Sequence, residues 1–372
     1  MKVLQLGKFY PIRGGVEKVM YDLTLGLSEQ GISCDMLCAA TENHPAETIA
    51  LNACGRILVM PTQLKLAATM IAPLMITTLR KIANTYDIIH IHHPDPMACL
   101  ALWLSGYKGK VVLHWHADIL KQRMLLKLYK PLQNWLIKRA DIIVGTSPVY
   151  VAESTFLQHV QHKLDYIPIG VEPAQVDRDQ VRAIRARYAG KRLVFSLGRL
   201  VEYKGYEYLI RAAANLPDNY QILIGGKGPL HDTLKHLIAD LGLKERVCLL
   251  GFLSDKEVPN YFAAADVFCL SSIWKTEAFA IVQIEAMSVG VPVVSTYIPG
   301  SGVSWVNKED VSGLIVEAQN EEMLANALRR IFDEEGLRQR LSTGSTQRYQ
   351  NYFTREAMVA KSRSIYTALL RQ

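Results

Sequence analysis

At 372 residues, of which 49% are apolar and 21% charged, the chain exceeds what one hydrophobic core organises and holds ample apolar material for two, which excludes a disordered or low-complexity polypeptide. Its formal charge of +7 is uneven, because residues 1–170 carry 17 Lys and Arg against 12 Asp and Glu, so the basic excess sits in the first half. The longest apolar stretch, 66–79, is interrupted by Thr and Pro and falls short of the roughly 18 residues a membrane span requires, which leaves a soluble or peripheral protein as the expectation.

The chain opens on an apolar run over 3–6, too short for a secretory signal and suited to a buried strand, so a cytoplasmic address is expected. A helix is predicted over 15–30 and strands over 34–38, 88–92 and 111–115. This alternation predicts a parallel sheet covered on both faces by helices. The series ends near 165–172, a charged helical connector runs through residue 188, and a second series opens at 193–198 and continues at 220–224, 247–250, 266–270 and 291–295. The fold class is therefore α/β, with one doubly wound, Rossmann-like domain over 1–172 and another over 190–351. Sheets of this kind bind ligands at the carboxyl ends of their strands, so the cleft between the two domains is the expected site. The six cysteines lie in apolar surroundings without CxxC spacing and read as reduced core thiols.

Several segments at predicted strand ends carry chemistry. After the first strand comes Tyr10-Pro11-Ile12-Arg13-Gly14-Gly15-Val16-Glu17, where Gly14 and Gly15 allow backbone to approach a ligand closely; a plain strand-to-helix turn is the other reading. The strand over 111–115 runs into His114-Trp115-His116-Ala117-Asp118, and strand alternation turns Trp115 to the face opposite His114 and His116. In the second half, Gly198-Arg199-Leu200-Val201-Glu202-Tyr203-Lys204-Gly205 sets two cations and flexible backbone at a strand end, an arrangement suited to a diphosphate. Gly226-Lys227-Gly228-Pro229 lacks the third glycine of a dinucleotide fingerprint, which argues against a pyridine-nucleotide oxidoreductase. Thr276-Glu277-Ala278-Phe279-Ala280-Ile281-Val282-Gln283-Ile284-Glu285-Ala286-Met287 predicts a helix beginning near Ala278, with Glu277 at its positive end and Glu285 about two turns inward. Alone, that spacing reads as a helix with one capping acid and one solvated acid; the surrounding motifs are what favour a ligand site.

Taken together, these motifs resemble retaining glycosyltransferase family 4, whose members have two Rossmann-like domains in the GT-B arrangement and two glutamates seven residues apart before a glycine and a strand. The resemblance spans nearly the whole chain, is weakest through 42–83, and implies that a final helix over 352–372 crosses back onto the first domain. By resemblance, Glu277 meets hydroxyls of the donor sugar and Glu285 the ribose hydroxyls of the nucleotide. Arg199 and Lys204 fall where the family grips the diphosphate, and His116 where a histidine approaches the reacting centre, with His114 in reserve. Gly14, Gly15, Gly226, Gly228, Leu253, Ala278, Phe279 and Ala280 become donor contacts, with Gly251-Phe252-Leu253-Ser254 as the segment whose backbone reads the base. No cofactor is implied. The histidines at 90, 92, 93, 114 and 116 lack the carboxylate pattern of a catalytic zinc site, so no metal is expected.

The implied partners are a nucleotide-sugar donor and a glycan or polyprenyl-linked acceptor, with no nucleic acid. Basic and apolar residues mix at helical spacing over 121–139, which reads either as a site for anionic membrane or as a solvated helix face. The look of 299–313 is similar to bacterial mannosyltransferases of surface-polysaccharide assembly and favours GDP-mannose over a UDP-sugar. An epimerase and a non-catalytic nucleotide-sugar-binding protein stay open. Two departures from the family pattern bear on the donor: Ala278 and Ala280 stand where glycine is common, and Pro299-Gly300-Ser301-Gly302 stands where many relatives carry a glutamate.

Overall fold

The computed structural model describes residues 1–41, 43–66, 69–119 and 123–371, and of 123–126 the backbone alone. Its contacts divide the chain into two units, Met1–Gly170 with Arg355–Gln372, and Val171–Thr354.

In the first unit the strands are β1 (Lys2–Tyr10), β2 (Ser33–Ala40), β3 (Glu47–Asn52), β4 (Gly55–Met60), β5 (Leu64–Leu66), β6 (Thr69–Ile71), β7 (Ile88–His93), β8 (Lys110–Trp115), β9 (Ile142–Gly145) and β10 (Leu164–Tyr166). Eight of them form one sheet in the order β10-β9-β8-β7-β1-β2-β4-β3, while β5 and β6 pair apart from it. Pairings within the sheet are parallel except at its edge, where β3 runs antiparallel to β4. The parallel series expected from the alternation thus ends in a hairpin, because residues 53–54 leave room for only a tight return. Strands such as β7 are buried along their whole length, as a sheet covered on both faces requires.

One helix start positions the site. Asp95 caps the Pro96–Ser105 helix by accepting from the Ala98 N–H at 3.0 Å, Pro96 occupies the first turn, and Gly106 ends the helix in the left-handed conformation. The other Asp95 oxygen accepts from the Lys8 N–H at 2.6 Å, which ties the irregular end of β1 to this helix. The Arg355–Leu370 helix belongs to the same unit and buries Met358, Ile365, Tyr366 and Leu369.

The second unit holds β11 (Arg192–Leu197), β12 (Tyr220–Gly225), β13 (Val247–Gly251), β14 (Val267–Leu270), β15 (Val293–Tyr297) and β16 (Gly313–Glu317), all parallel, in the order β13-β12-β11-β14-β15-β16. The chain reverses direction across the sheet between β11 and β14, the switch point at which doubly wound sheets hold ligands. One face is sealed by Leu209, Ile210, Leu234, Leu324 and Leu328. On the other, Phe262 meets Phe195 edge-on at 5.2 Å and Phe268 at 5.3 Å. The connector of 172–188 contains the Arg178–Arg187 helix, whose Arg185 forks onto both oxygens of Asp266 at 2.9 Å each. All six cysteines are free thiols. No helix among the described residues is long and apolar enough to cross a membrane.

Candidate active site

The end of β11 shows why the second unit gathers charge where it does. Gly198 follows the strand in a bend at φ 156°, and a left-handed Gly205 closes the short 3-10 turn of Glu202–Lys204. A methyl group at Gly205 would lie 2.2 Å from the Ser271 carbonyl oxygen, so only glycine lets this turn close on the end of β14. The Lys204 carbonyl accepts from Ser271 Oγ at 2.9 Å, and the Tyr203 carbonyl from the Ile273 N–H at 2.8 Å. Fixed in this way, Lys204 is buried, and its Nζ lies 2.6 Å from Glu277 Oε2. The same carboxylate oxygen accepts from Ser272 Oγ at 2.8 Å. Lys204 Nζ also passes 3.2 Å from where a Cβ on Gly198 would stand, so the ammonium lies directly against the strand-end glycine.

Glu277 stands in a loop, not at a helix terminus. The Ile281–Ser288 helix begins four residues later than Glu277, after Ala280 in the left-handed conformation at φ 61°, ψ 75°. The expected helix start near Ala278, and the helix-end field it would have lent to Glu277, are corrected accordingly. Glu277 and Glu285 therefore do not share a helix face. Hydrogen bonds supply what helix periodicity cannot show: the Gly302 N–H donates to the Ala278 carbonyl at 2.8 Å, and Ser301 Oγ donates to the Glu277 carbonyl. The segment 299–302, which departs from the family pattern, thus supports the loop bearing Glu277. Ala280 also answers the question raised by the missing glycine, since it adopts the positive φ that alanine rarely takes. Phe279 is buried, with Phe353 edge-on at 6.0 Å.

Arg199 is exposed, and its guanidinium has no hydrogen-bond or ion-pair partner among the described residues. Glu285 is partly buried on its helix, and burial, with Asp255 adding like charge, pushes its carboxyl up to about 7. The glycine turns interlock around β11. Gly226 at φ 132° presses against Gly198, where a Cβ would come 1.9 Å from the carbonyl oxygen, and one on Gly228 would come 2.3 Å from that of Leu200. The Gly226 N–H reaches the Gly251 carbonyl at 2.7 Å, which joins the ends of β12 and β13. Leu253 is buried there, while the neighbouring Phe252 is 67% exposed with Lys227 Nζ 5.3 Å from its ring centre.

In the first unit, Gly14 caps the Gly15–Glu29 helix at φ 133°, Gly15 follows at φ 59°, and a Cβ on Gly14 would meet nothing within 4 Å. At the end of β8 the expected alternation holds. Trp115 stacks on His93 at 3.8 Å, while His116 stacks on His114 at 3.9 Å and on His92 at 5.1 Å. His92 Nδ1 lies 2.9 Å from His116 Nε2, and His92 Nε2 lies 2.8 Å from Gln5 Oε1. Burial holds His90, His92, His114 and His116 below the usual imidazole range, with mutual repulsion adding for His90, His92 and His116. Ring nitrogens of His90, His92 and His114 lie within 4.8 Å of one another, and both nitrogens of His92 are already hydrogen-bonded.

Sequence reasoning missed Lys8, Ser272 and Ser301. Lys8 is buried beside this cluster, its Nζ 2.6 Å from the Pro94 carbonyl, and desolvation lowers its pKa against the opposing pull of Asp95 and Glu17. A lone lysine inside an apolar strand was the available signal. Nothing local marked the two serines, whose partners lie 5 and 24 residues away. Of the basic segment 121–139, Lys121 and Gln122 lie outside the described residues; the Arg123–Arg139 helix exposes Lys127, Leu128 and Lys130 and buries Tyr129.

Two Rossmann-like halves, one carrying interlocked glycine turns and a buried ion pair at its switch point, define a GT-B protein. Residues 13–175 match the family described as Glycosyltransferase Family 4, and residues 177–348 that of Glycosyl transferases group 1. O-antigen chain mannosyltransferase C of Escherichia coli is 30% identical over 375 residues, covering 100% of this chain and 99% of that protein. D-rhamnosyltransferase WbpZ of Pseudomonas aeruginosa is 28% identical, covering 95% and 92%. Among solved structures, sucrose-phosphate synthase of Thermosynechococcus elongatus superposes with a TM-score of 0.78 at 20% identity over 100% of both chains, and Anabaena HepE in complex with UDP with 0.77 at 20% over 99% and 100%. The chain belongs to glycosyltransferase family 4 and is a glycosyltransferase.

Proposed function

We propose that the protein is a retaining hexosyltransferase that moves mannose from GDP-mannose to a hydroxyl of a glycan or polyprenyl-linked oligosaccharide during assembly of a cell-surface polysaccharide. The observation that carries this reading is the buried Lys204–Glu277 pair against Gly198 at the carboxyl end of β11. A diphosphate seated there meets the Lys204 ammonium and the unengaged Arg199 guanidinium, and both draw on the charge that grows on the departing nucleotide. Glu277, held by Ser272 and Lys204, receives the hydroxyls of the donor sugar, while Glu285 accepts from the ribose. The acceptor oxygen attacks the face that the nucleotide leaves, and the leaving phosphate takes the acceptor's proton. The Lys204 ammonium and the Arg199 guanidinium supply the neutralisation, so the reaction requires no metal.

The names of the E. coli and P. aeruginosa relatives, a mannosyltransferase of O-antigen chains and a D-rhamnosyltransferase, support the sugar and the setting. A UDP-sugar is the alternative donor. Exposed Lys127 and Lys130 flanking Leu128, which is 82% exposed, support peripheral contact with an anionic membrane surface, where a lipid-linked acceptor resides. A thermal-shift screen of GDP, UDP and ADP tests the base, and incubation with radiolabelled nucleotide sugars and a polyprenyl-diphosphate oligosaccharide tests transfer. Stabilisation by GDP above the others and a labelled lipid product are expected. Release of an epimerised donor without acceptor, or binding without any transfer, overturns the reading.

A further inference from the structure

A chain of hydrogen bonds runs behind His116, and its donors and acceptors can be assigned one at a time. Gln5 is fully buried on β1. Its Nε2 lies 3.2 Å from Tyr366 Oη and 4.0 Å from Cys34 Sγ, and its Oε1 faces His92 Nε2 at 2.8 Å. In this orientation both amide N–H groups find acceptors. Turned about, the amide would point both at His92, which takes only one of them, and leave the other buried without a partner. An amide oxygen only accepts, so His92 Nε2 carries a proton and donates it. His92 is neutral in this buried setting, so its Nδ1 holds a lone pair. The group facing that lone pair at 2.9 Å is His116 Nε2, which must then be the protonated nitrogen. By elimination Nδ1 of His116 is bare, and it is buried without a partner in the protein.

We propose that His92, fixed by Gln5, is a positioning residue that holds His116 in its Nε2–H tautomer and so presents His116 Nδ1 as the acceptor for a substrate hydroxyl. The inference rests on the role near the reacting centre that the family resemblance implies for His116, but the tautomer itself does not. Its anchor reaches the far end of the chain. Tyr366, on the Arg355–Leu370 helix, accepts from Gln5 at 3.2 Å and shares a hydrogen bond of 2.5 Å with His90 Nδ1. Docking of the last helix in the first unit and the protonation pattern at the end of β8 are thereby one network. The other polar groups facing it are Lys8, whose positive charge disfavours a second proton on His92 or His116, and His114, stacked on His116 without a hydrogen bond.

The test is long-range 1H–15N correlation on the full-length, ligand-free protein with 15N-labelled histidine, His116 and His92 being assigned from His116→Gln and His92→Gln spectra. An unprotonated Nδ1 and a protonated Nε2 on both rings are expected; a proton on His116 Nδ1 overturns the proposal, whatever the protein transfers. Kinetics supply the second arm. Gln5→Leu removes the acceptor that orients His92 and is expected to lower kcat roughly tenfold with little change in the donor KM. Gln5→Glu retains an acceptor at that point and is expected to recover most of the loss. Equal loss in both variants, with the His116 tautomer unchanged, also overturns the positioning role, whereas absence of transfer by the parent protein refutes the functional reading and leaves the tautomer result standing.

Discussion

Lys204 Nζ and Glu277 Oε2 stand 2.6 Å apart, with each residue less than a tenth exposed. Ser272 and the turn closed by Gly205 hold the pair in place. Two charges placed there are costly unless each keeps the other, and breaking such a pair from one side typically costs about 3–5 kcal/mol. Lys204→Met is therefore expected to lower the unfolding midpoint strongly and to abolish transfer. A Lys204→Met, Glu277→Gln double variant should regain much of the midpoint without regaining activity. Thermal unfolding and a transfer assay on the three proteins check this.

The fold was largely legible because buried parallel strands are continuous apolar runs, and the glycine turns at their ends are dictated by local backbone geometry. The loop from 276 to 280 was not. Its apolar spacing imitates a helix, but Ala280 breaks to the left-handed region, and the loop is held by Ser301 and Gly302 from beyond the next strand. The hairpin of β3 and β4 was missed for a related reason, since β3 is a largely exposed edge strand with only three apolar residues, Ile49 to Leu51, between polar ends. Gln5 and Tyr366, 361 residues apart, meet only through the docking of the last helix.

Glu285 gives a pH signature. Its folded-state carboxyl, at about 7, lies above the ordinary value of 4.5. At pH below the ordinary value both folded and unfolded chains are protonated, and the group costs nothing. As pH rises toward 7 the unfolded chain ionises first, so stability falls, and above 7 the penalty is complete. Glu285→Gln is expected to match the parent in acid and to exceed its unfolding midpoint by a few degrees above pH 7. Nucleotide affinity should move oppositely in the parent, tightening as pH passes 7 and the carboxylate becomes a stronger acceptor for ribose. Unfolding scans and calorimetric titration across that range measure both.

The glycines separate by cause. Gly226→Ala forces a methyl group to within 1.9 Å of backbone at Gly198 and should disrupt the joined strand ends, with a lowered midpoint and lost nucleotide binding. Gly14→Ala meets no atom within 4 Å but keeps φ at 133°, so its cost is backbone strain alone, of order 1–3 kcal/mol. A crystal structure or circular dichroism of Gly14→Ala should show the fold intact.

Arg199 offers the most direct test, because its side chain is exposed and has no hydrogen-bond or ion-pair partner among the described residues. The rate of sugar transfer by Arg199→Ala, measured beside its unfolding midpoint with the nucleotide sugar that stabilises the parent, isolates the grip on the diphosphate. A fall in kcat of about a hundredfold or more at an unchanged midpoint is the predicted result. Transfer at the parent's rate by the folded variant would contradict the account.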